Sequence, residues 1–494
     1  MNFPGTLDGS RPAGAGLLTD LYEMTMACGY WKSGTAEKEA VFHLTFRKAP
    51  FQGGFTVACG LAAACEYLQS LRFESADLEY LGTLPGRDKK PLFEKAFLQY
   101  LAGVRFTCDV DALPEGTAVF PHEPLLRVQG PILQAQIIES ALLNFLNFQS
   151  LVATKAARIC LAARGEPVLE FGLRRAQGVD GALTASRAAY VGGCAGTSNL
   201  LAGKTFGIPV AGTHAHSWVL SFDSELEAFA AYARALPNNC IFLVDTFDSL
   251  AGVKHAVEIG RQLRQQGHEL AGIRLDSGDL AFLSLEARKI LDEAGFKDTR
   301  ILGSNDLDEH IIESLKEQGA TITLWGVGTR LVTGHGQCAL GGVYKLSAVR
   351  HPGGAWQHKV KLSEQAAKIT NPGILQVRRF RSETEFLGDA IYDLSRPLPE
   401  KFIIVDPLDN TRRKRFEAGT ASEDLLVPVF RGGKLVYQAP SLERVRQRVQ
   451  EQLAMLHPGL KRFVNPHQYP AGLERGLHDF KTALVLQARG EGHL

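Results

Sequence analysis

Between residues 165 and 332 the chain repeats one pattern six times: a short β-branched or aliphatic run, a break of glycine and polar residues, then a stretch of helical periodicity. The runs with their breaks occupy 168–175, 209–218, 240–249, 272–280, 300–306 and 321–331. Strand signals set about 25 to 40 residues apart, with helices between them, demand crossover connections and so a parallel sheet or barrel. The helix is plainest after the third run, where Leu250, Val253, Val257, Ile259 and Leu263 make an apolar face between charged positions. The fold expected is α/β, an irregular TIM-like barrel; an open doubly wound sheet would leave the same one-dimensional pattern.

The flanks read differently. Strand-like runs at 40–46, 118–120 and 125–128 precede the repeats, and others at 341–347 and 427–437 follow them, with proline and glycine between. A second, α+β domain built from N- and C-terminal segments is expected. The boundaries drawn are 1–135 for its N-terminal part, 136–339 for the barrel, 340–438 for the segment returning to the α+β domain, and 439–494 for a helical tail. In that tail Leu442, Val445, Val449, Leu453 and Leu456 fall at helical spacing, with Ser441 as cap and Pro458 as stop.

Composition removes several function classes. The 54 Lys and Arg residues against 53 Asp and Glu leave a net charge of +1, which excludes the electrostatic footprint of a nucleic-acid or anionic-membrane binder. The basic run 412–415 is a solvated face. The 8 cysteines form no Cys-x-x-Cys pair, as expected of reduced thiols in a cytoplasmic protein. Residues 1–16 lack a basic start and apolar core, so no signal peptide is expected there, and no apolar run of about 18 to 20 residues could span a bilayer.

Chemistry collects where the runs break. The first supplies Arg174 and Arg175; the second Thr213, His214 and His216; the third Asp245, Thr246 and Asp248. The fourth supplies Arg274, Asp276, Ser277 and Asp279; the fifth Gly303, Ser304 and Asn305; the sixth Gly326, Gly328, Thr329 and Arg330. Guanidinium forks and glycine-turn N–H groups hold phosphates, and carboxylates hold Mg²⁺ or sugar hydroxyls, so the ligand implied is a phosphorylated sugar.

Each of these residues also has a plainer use. His216 could be a hydrogen-bonded core histidine, Asp276 and Asp279 could cap a helix, and Gly326 and Gly328 could serve only as turns. His214 is read as structural. Alternation along a strand would put His214 and His216 on one face and Thr213 on the other, so Thr213 and His216 share a pocket only if the strand has ended. The same alternation admits one of Arg174 and Arg175, with Arg174 preferred. The spacing His214-x-His216 also suits a metal-dependent amidohydrolase, which would need more histidines at later strand ends than the chain offers. A binding protein that kept the pocket without the chemistry is disfavoured by the intact His216, Arg274 and Asp276 set.

Five stretches, at 18–30, 170–178, 212–218, 272–280 and 341–346, closely resemble nicotinate phosphoribosyltransferase, and the likeness runs in order from residue 17 to about Tyr469. The resemblance implies nicotinate mononucleotide and pyrophosphate made from nicotinate and phosphoribosyl pyrophosphate with coupled ATP hydrolysis, the first step of NAD salvage from nicotinate. It implies a type II phosphoribosyltransferase barrel and a homodimer with sites near the interface. Carried over residue by residue, His216 is similar to the histidine that ATP phosphorylates. Tyr22, Thr213 and Arg274 are similar to nicotinate contacts, and Thr329 to a phosphoribosyl pyrophosphate contact. Ser198 stands where the related nicotinamide enzyme, the nearest rival, has an aspartate. Catalytic roles are expected of His216, Arg274 and Asp276. Binding is expected of Tyr22, Arg174, Arg175, Thr213, Ser198, Asp279, Ser304, Asn305, Gly328 and Thr329. Mg²⁺ would ride on the substrate phosphates, with Asp276 or Asp279 as the protein ligand.

Overall fold

The computed structural model describes residues 15–490, so the expectation about a leader in 1–16 falls almost wholly outside the described residues. The chain divides into two compact units. Residues up to Leu151 join those from Ala339 onward in one, and Val152–Cys338 forms the other. The break lies at 151/152, not at 135/136, because Glu139–Ala162 is one uninterrupted helix with no change of composition at the boundary.

The second unit is built on a six-stranded sheet. Its strands, in spatial order, are Gly196–Thr197, Val168–Glu170, Leu324–Val327, Arg300–Gly303, Gly272–Leu275 and Ile241–Leu243. Every neighbouring pair is parallel, as crossover helices require. Leu169, Leu302 and Leu324 meet in one buried cluster. Helices Ser249–Gln265, Leu280–Glu293 and Glu309–Glu317 follow three of the strands. Each begins on an aspartate, Asp248, Asp279 or Asp308, whose carboxylate accepts backbone N–H bonds of the first turn. Val253, Val257, Ile259 and Leu263 are buried along the first of these helices.

One strand differs from expectation. The run 208–211 forms only a single parallel bridge, Val210 to Thr197, and Val210 is 47% exposed. The strand that belongs to the sheet is the two-residue Gly196–Thr197, too short to show any period. Pro209 has no N–H to offer a ladder, so pairing is limited to its carbonyl, which accepts from Thr197, and to the Ala211 N–H, which donates back to Thr197.

Besides the two-stranded pair of Thr56–Val57 with Ala118–Val119, the first unit carries two larger sheets. One of seven strands interleaves the chain's two ends: Glu39–Phe46 pairs antiparallel with Gly342–Arg350 and with Pro124–Pro131, and Asp109–Ala112 pairs with Val427–Arg431. The other has six strands and takes Ala471–Glu474 between Ile403–Val405 and Phe386–Asp393. The segment 439–494 is therefore not a helical tail. It holds helix Leu442–Ala454, capped by Ser441 as its sequence suggests, but then supplies an interior strand before helix Arg475–Ala488. Pro458 opens the 3-10 turn Pro458–Lys461 instead of stopping the helix, which ends four residues earlier. The basic run contributes edge strand Arg413–Arg415, with both arginines exposed. Among the described residues no helix is long and apolar enough to cross a membrane.

Arg379 anchors this unit. It is 0% exposed; it binds both oxygens of Asp389 and donates to Gln452 Oε1 at 2.9 Å and to the Ala118 carbonyl at 2.8 Å. Removing one partner of such a pair leaves an uncompensated charge in the interior. Arg379→Met is expected to lower unfolding free energy by about 3–5 kcal/mol, measured as the urea midpoint; an unchanged midpoint would show that the pair carries none of the stability.

Candidate active site

Side chains from three runs of the second unit converge on one guanidinium. Arg274 Nε donates to Ser304 Oγ at 2.8 Å, Nη1 to Thr213 Oγ1 at 3.0 Å and Nη2 to Asp276 Oδ1 at 2.8 Å. Ser304 closes the ring by donating to the same Asp276 oxygen. Arginine has five N–H donors, so one remains on each terminal nitrogen, and its side chain is 14% exposed. Phe171 lies beside it, with the ring centroid 5.6 Å from the guanidinium carbon. Gly326 makes that possible: a Cβ there would sit 2.7 Å from the Phe171 ring. Gly328 is needed for the same reason, since its Cβ would lie 3.0 Å from the Phe171 carbonyl. Phe171 was not among the sequence candidates; its signal was an aromatic directly after a strand run.

His216 stands next to this ring as the first residue of helix His216–Leu220. Its Nε2 lies 3.8 Å from Asp276 Oδ2 and 4.0 Å from Asp245 Oδ1. Its Nδ1 is 3.2 Å from Thr246 Oγ1. Asp245 is 1% exposed at the side chain; Oδ2 accepts the Asp276 N–H at 2.9 Å and the Ser277 hydroxyl at 2.5 Å, while Oδ1 has no hydrogen-bond partner. Thr213 and His216 do share the site, because no strand persists to this point and alternation does not apply.

His214 points elsewhere. It is buried, its ring 5.1 to 6.3 Å from those of Tyr232, Phe229 and Phe242. Its Nε2 accepts the Leu243 N–H at 3.2 Å, and its Nδ1 lies 3.3 Å from the Ala215 carbonyl. An acceptor at Nε2 and a carbonyl at Nδ1 define the neutral, Nδ1-protonated tautomer. That lone pair is not available to a metal, and among the described residues no group of three or more His, Cys, Asp or Glu side chains could hold one. The amidohydrolase alternative fails on both counts.

Other expected residues take varied places. Arg174 and Arg175 are both exposed in the 3-10 turn Leu173–Arg175, so alternation does not choose between them. The strand ends at Glu170, whose buried carboxylate accepts the Gly172 N–H and the hydroxyls of Ser186 at 2.8 Å and Thr197 at 2.6 Å. Ser198 is half-buried, its N–H on the Glu170 carbonyl. Asp279 is exposed and caps its helix through the Phe282 N–H, the plainer of its two readings. Asn305 is exposed, at φ 111° in the turn after Ser304. Thr329 is half-buried at the start of helix Thr329–Val332, and Arg330 is held by Asp308 at 2.6 Å. Tyr22 belongs to the first unit, 46% exposed on helix Leu21–Lys32; burial and then Glu139 push its hydroxyl pKa up.

The nicotinate phosphoribosyltransferase family model matches residues 167–361, and the models for that family's N-terminal and C-terminal domains match 17–147 and 376–481. The nicotinate phosphoribosyltransferase of Bacillus subtilis is 42% identical over 462 residues, covering 92% of each chain. The human protein of that name is 35% identical over 533 residues, covering 96% of this chain and 97% of its own. The crystal structure of human nicotinic acid phosphoribosyltransferase superposes with a TM-score of 0.81 at 33% identity, covering 94% of this chain and 99% of that one.

Burial, first of all, lowers the His214 pKa. The unfolded chain takes up a proton near the ordinary value of about 6.5 and the folded chain does not, so this residue costs stability as pH falls below that value. His214 is expected to titrate below the ordinary histidine range and, in its neutral form, to show the nitrogen shifts of the Nδ1-protonated ring by NMR; titration at or above that range would contradict the assignment.

Proposed function

The chain belongs to the nicotinate phosphoribosyltransferase family, and from that premise we propose how the ring around Arg274 forms nicotinate mononucleotide and pyrophosphate from nicotinate and phosphoribosyl pyrophosphate. The observation that carries the reading is the pair of N–H groups left on the two terminal nitrogens of Arg274. They match a planar carboxylate bidentately, and Thr213, Ser304 and Asp276 hold the guanidinium so that the fork is oriented before the ligand arrives. Nicotinamide would present an NH₂ to one of those donors and leave it unpaired, which is the strong form of discrimination. The Phe171 face gives the pyridine a flat apolar wall.

Loss of pyrophosphate builds positive charge at the sugar carbon as the pyridine nitrogen approaches. The site must hold the leaving group and keep the nitrogen in line. Arg174 and Arg175, exposed and free to turn inward, are assigned to the phosphate-rich end, with the turn of Gly328 and Thr329 across from them. Asp245 and Asp276 fit a magnesium ion: both are hard oxygen donors, Asp245 Oδ1 is buried without a hydrogen-bond partner, and water and substrate phosphates would complete the shell. A bound Mg²⁺ supplies charge neutralisation for the pyrophosphate. Asp276 also faces the ribose hydroxyls in this reading. Asp279 is better used as a helix cap.

ATP enters as a second substrate through His216. With Nδ1–H donating to Thr246 Oγ1, the Nε2 lone pair is the nucleophile: an Nε2–P bond forms as the bond from the γ-phosphorus to the ADP oxygen breaks, and ADP leaves. The added charge of roughly two units sits against Asp245 and Asp276, so it is tolerated only with a cation between them, and its hydrolysis would relax the site and release product. The reading also includes a homodimer, in which a second copy covers Leu18, Leu21, Tyr22 and Met26, exposed by 38–56%; light scattering that returned a monomer would remove it. The eight cysteines, none of them in a disulfide, accord with a cytoplasmic enzyme.

Mononucleotide formation should be measured with phosphoribosyl pyrophosphate and Mg²⁺, offering nicotinate or nicotinamide, with and without ATP. Nicotinate-selective turnover is expected, with ATP stimulation that disappears in His216→Ala while turnover without ATP persists. No mononucleotide from either base would overturn the proposal. Arg274→Lys keeps the charge but cannot make the three protein bonds and the fork together, so kcat/KM for nicotinate should fall about 10²-fold, near 2.7 kcal/mol; a loss shared equally by nicotinamide would show that the fork does not read the carboxylate.

A further inference from the structure

We propose that His214 is a positioning residue: its ring closes the open seam of the barrel and thereby sets the distance between the nicotinate-binding and phosphate-accepting halves of the site. The inference rests on the function proposed above.

The parallel sheet has two edges that do not pair. At one, Ile241–Leu243 pairs with Gly272–Leu275 and, among the described residues, with no second strand on its outward side. At the other, residues 209–211 bond to Thr197 and the chain then runs on toward Thr213. The Leu243 N–H, which a further strand would have satisfied, donates to His214 Nε2 at 3.2 Å. A side chain thus replaces one backbone ladder bond, in a buried place where an unmatched N–H is costly. The ring is held to that task from three sides, by the aromatic cage of Phe229, Tyr232 and Phe242 and by the Ala215 carbonyl at Nδ1.

What the seam joins is chemical machinery on both sides. Thr213, one residue before, accepts from Arg274 and donates to the His214 carbonyl at 3.1 Å. His216, two residues after, is the phosphate acceptor. Across the seam, Leu243 is followed by Asp245 and Thr246, which face the two nitrogens of His216 at 4.0 and 3.2 Å. One imidazole therefore fixes the segment 213–216 against 243–246. Shifting that joint would move Thr213 against Arg274 and His216 against Asp245 and Thr246 together.

Two substitutions separate this role from packing. His214→Phe keeps a ring in the aromatic cage and removes the acceptor; His214→Gln removes the ring and keeps a carbonyl acceptor within reach of Leu243. In the full-length chain, His214→Phe should fold but melt below the wild type by the cost of one unmatched buried N–H, and should raise the nicotinate KM and cut ATP stimulation, each by about tenfold or more. His214→Gln should return both to within about threefold of wild type. His214→Phe with wild-type KM and ATP stimulation, or equal damage in both variants, would overturn the proposal. If His214→Phe does not fold, the decisive measurement is the nitrogen–nitrogen coupling across the Leu243 N–H to His214 Nε2 bond in the wild type, which the proposal requires and whose absence would end it. That measurement does not depend on turnover. A wild type without mononucleotide synthesis but with the coupling would therefore count against the proposed reaction and not against the seam.

Discussion

The Arg274 guanidinium is the constraint on which the site depends, because it is bonded to side chains from three runs at once and still has donors to offer. Thr213, Ser304 and Asp276 come from three different runs; Ser304 and Asp276 also bond to each other, but it is the cation that brings Thr213 to the same point. The pair with Asp276 is partly solvated, 14% and 25% exposed, so the desolvation cost of a deeply buried ion pair is not incurred in full. That leaves an arginine oriented by the protein but not saturated by it.

Arg379 makes the contrast. It too is a buried arginine on a carboxylate, but it is 0% exposed and its donors go to Asp389, Gln452 and the Ala118 carbonyl. Such a guanidinium ties elements together and has no face for a ligand. The carboxylates divide along the same line. Asp248, Asp279 and Asp308 accept first-turn N–H groups and begin helices, whereas Asp245 keeps one buried oxygen without a partner and Asp276 directs one toward His216. Residues of one type at one kind of position thus serve two ends, and the number of bonds already made tells them apart.

Much of this was readable from local pattern. The parallel α/β unit, its helix 249–265 and the strand-end inventory follow from periodicity and from where each run breaks, which are properties of adjacent residues. The two-ended α+β unit was readable from the strand-like flanks. The strand Gly196–Thr197 was not, since two residues have no period, and neither was Ala471–Glu474, which becomes a strand only because two others lie ready on either side of it. The ambiguity over Arg174 and Arg175 came from extending a strand that the Glu170 carboxylate ends by taking the Gly172 N–H. Phe171 gained its place from the space that Gly326, far along the chain, leaves open.

The two histidines mark the limit. The sequence by itself determined that a strand-end segment would present Thr213, His214 and His216 beside arginines and carboxylates, because an apolar run breaking into polar residues can end in few other ways. The family resemblance pointed to His216 and left His214 as structural, but the residues themselves could not say what would engage each ring. Only the tertiary structure decided that, by setting Leu243 opposite one ring and Thr246 opposite the other, 29 and 30 residues further on. A histidine becomes a structural acceptor or a nucleophile according to which of its nitrogens is already engaged, and those partners are brought to it by strand order rather than by neighbourhood in the chain.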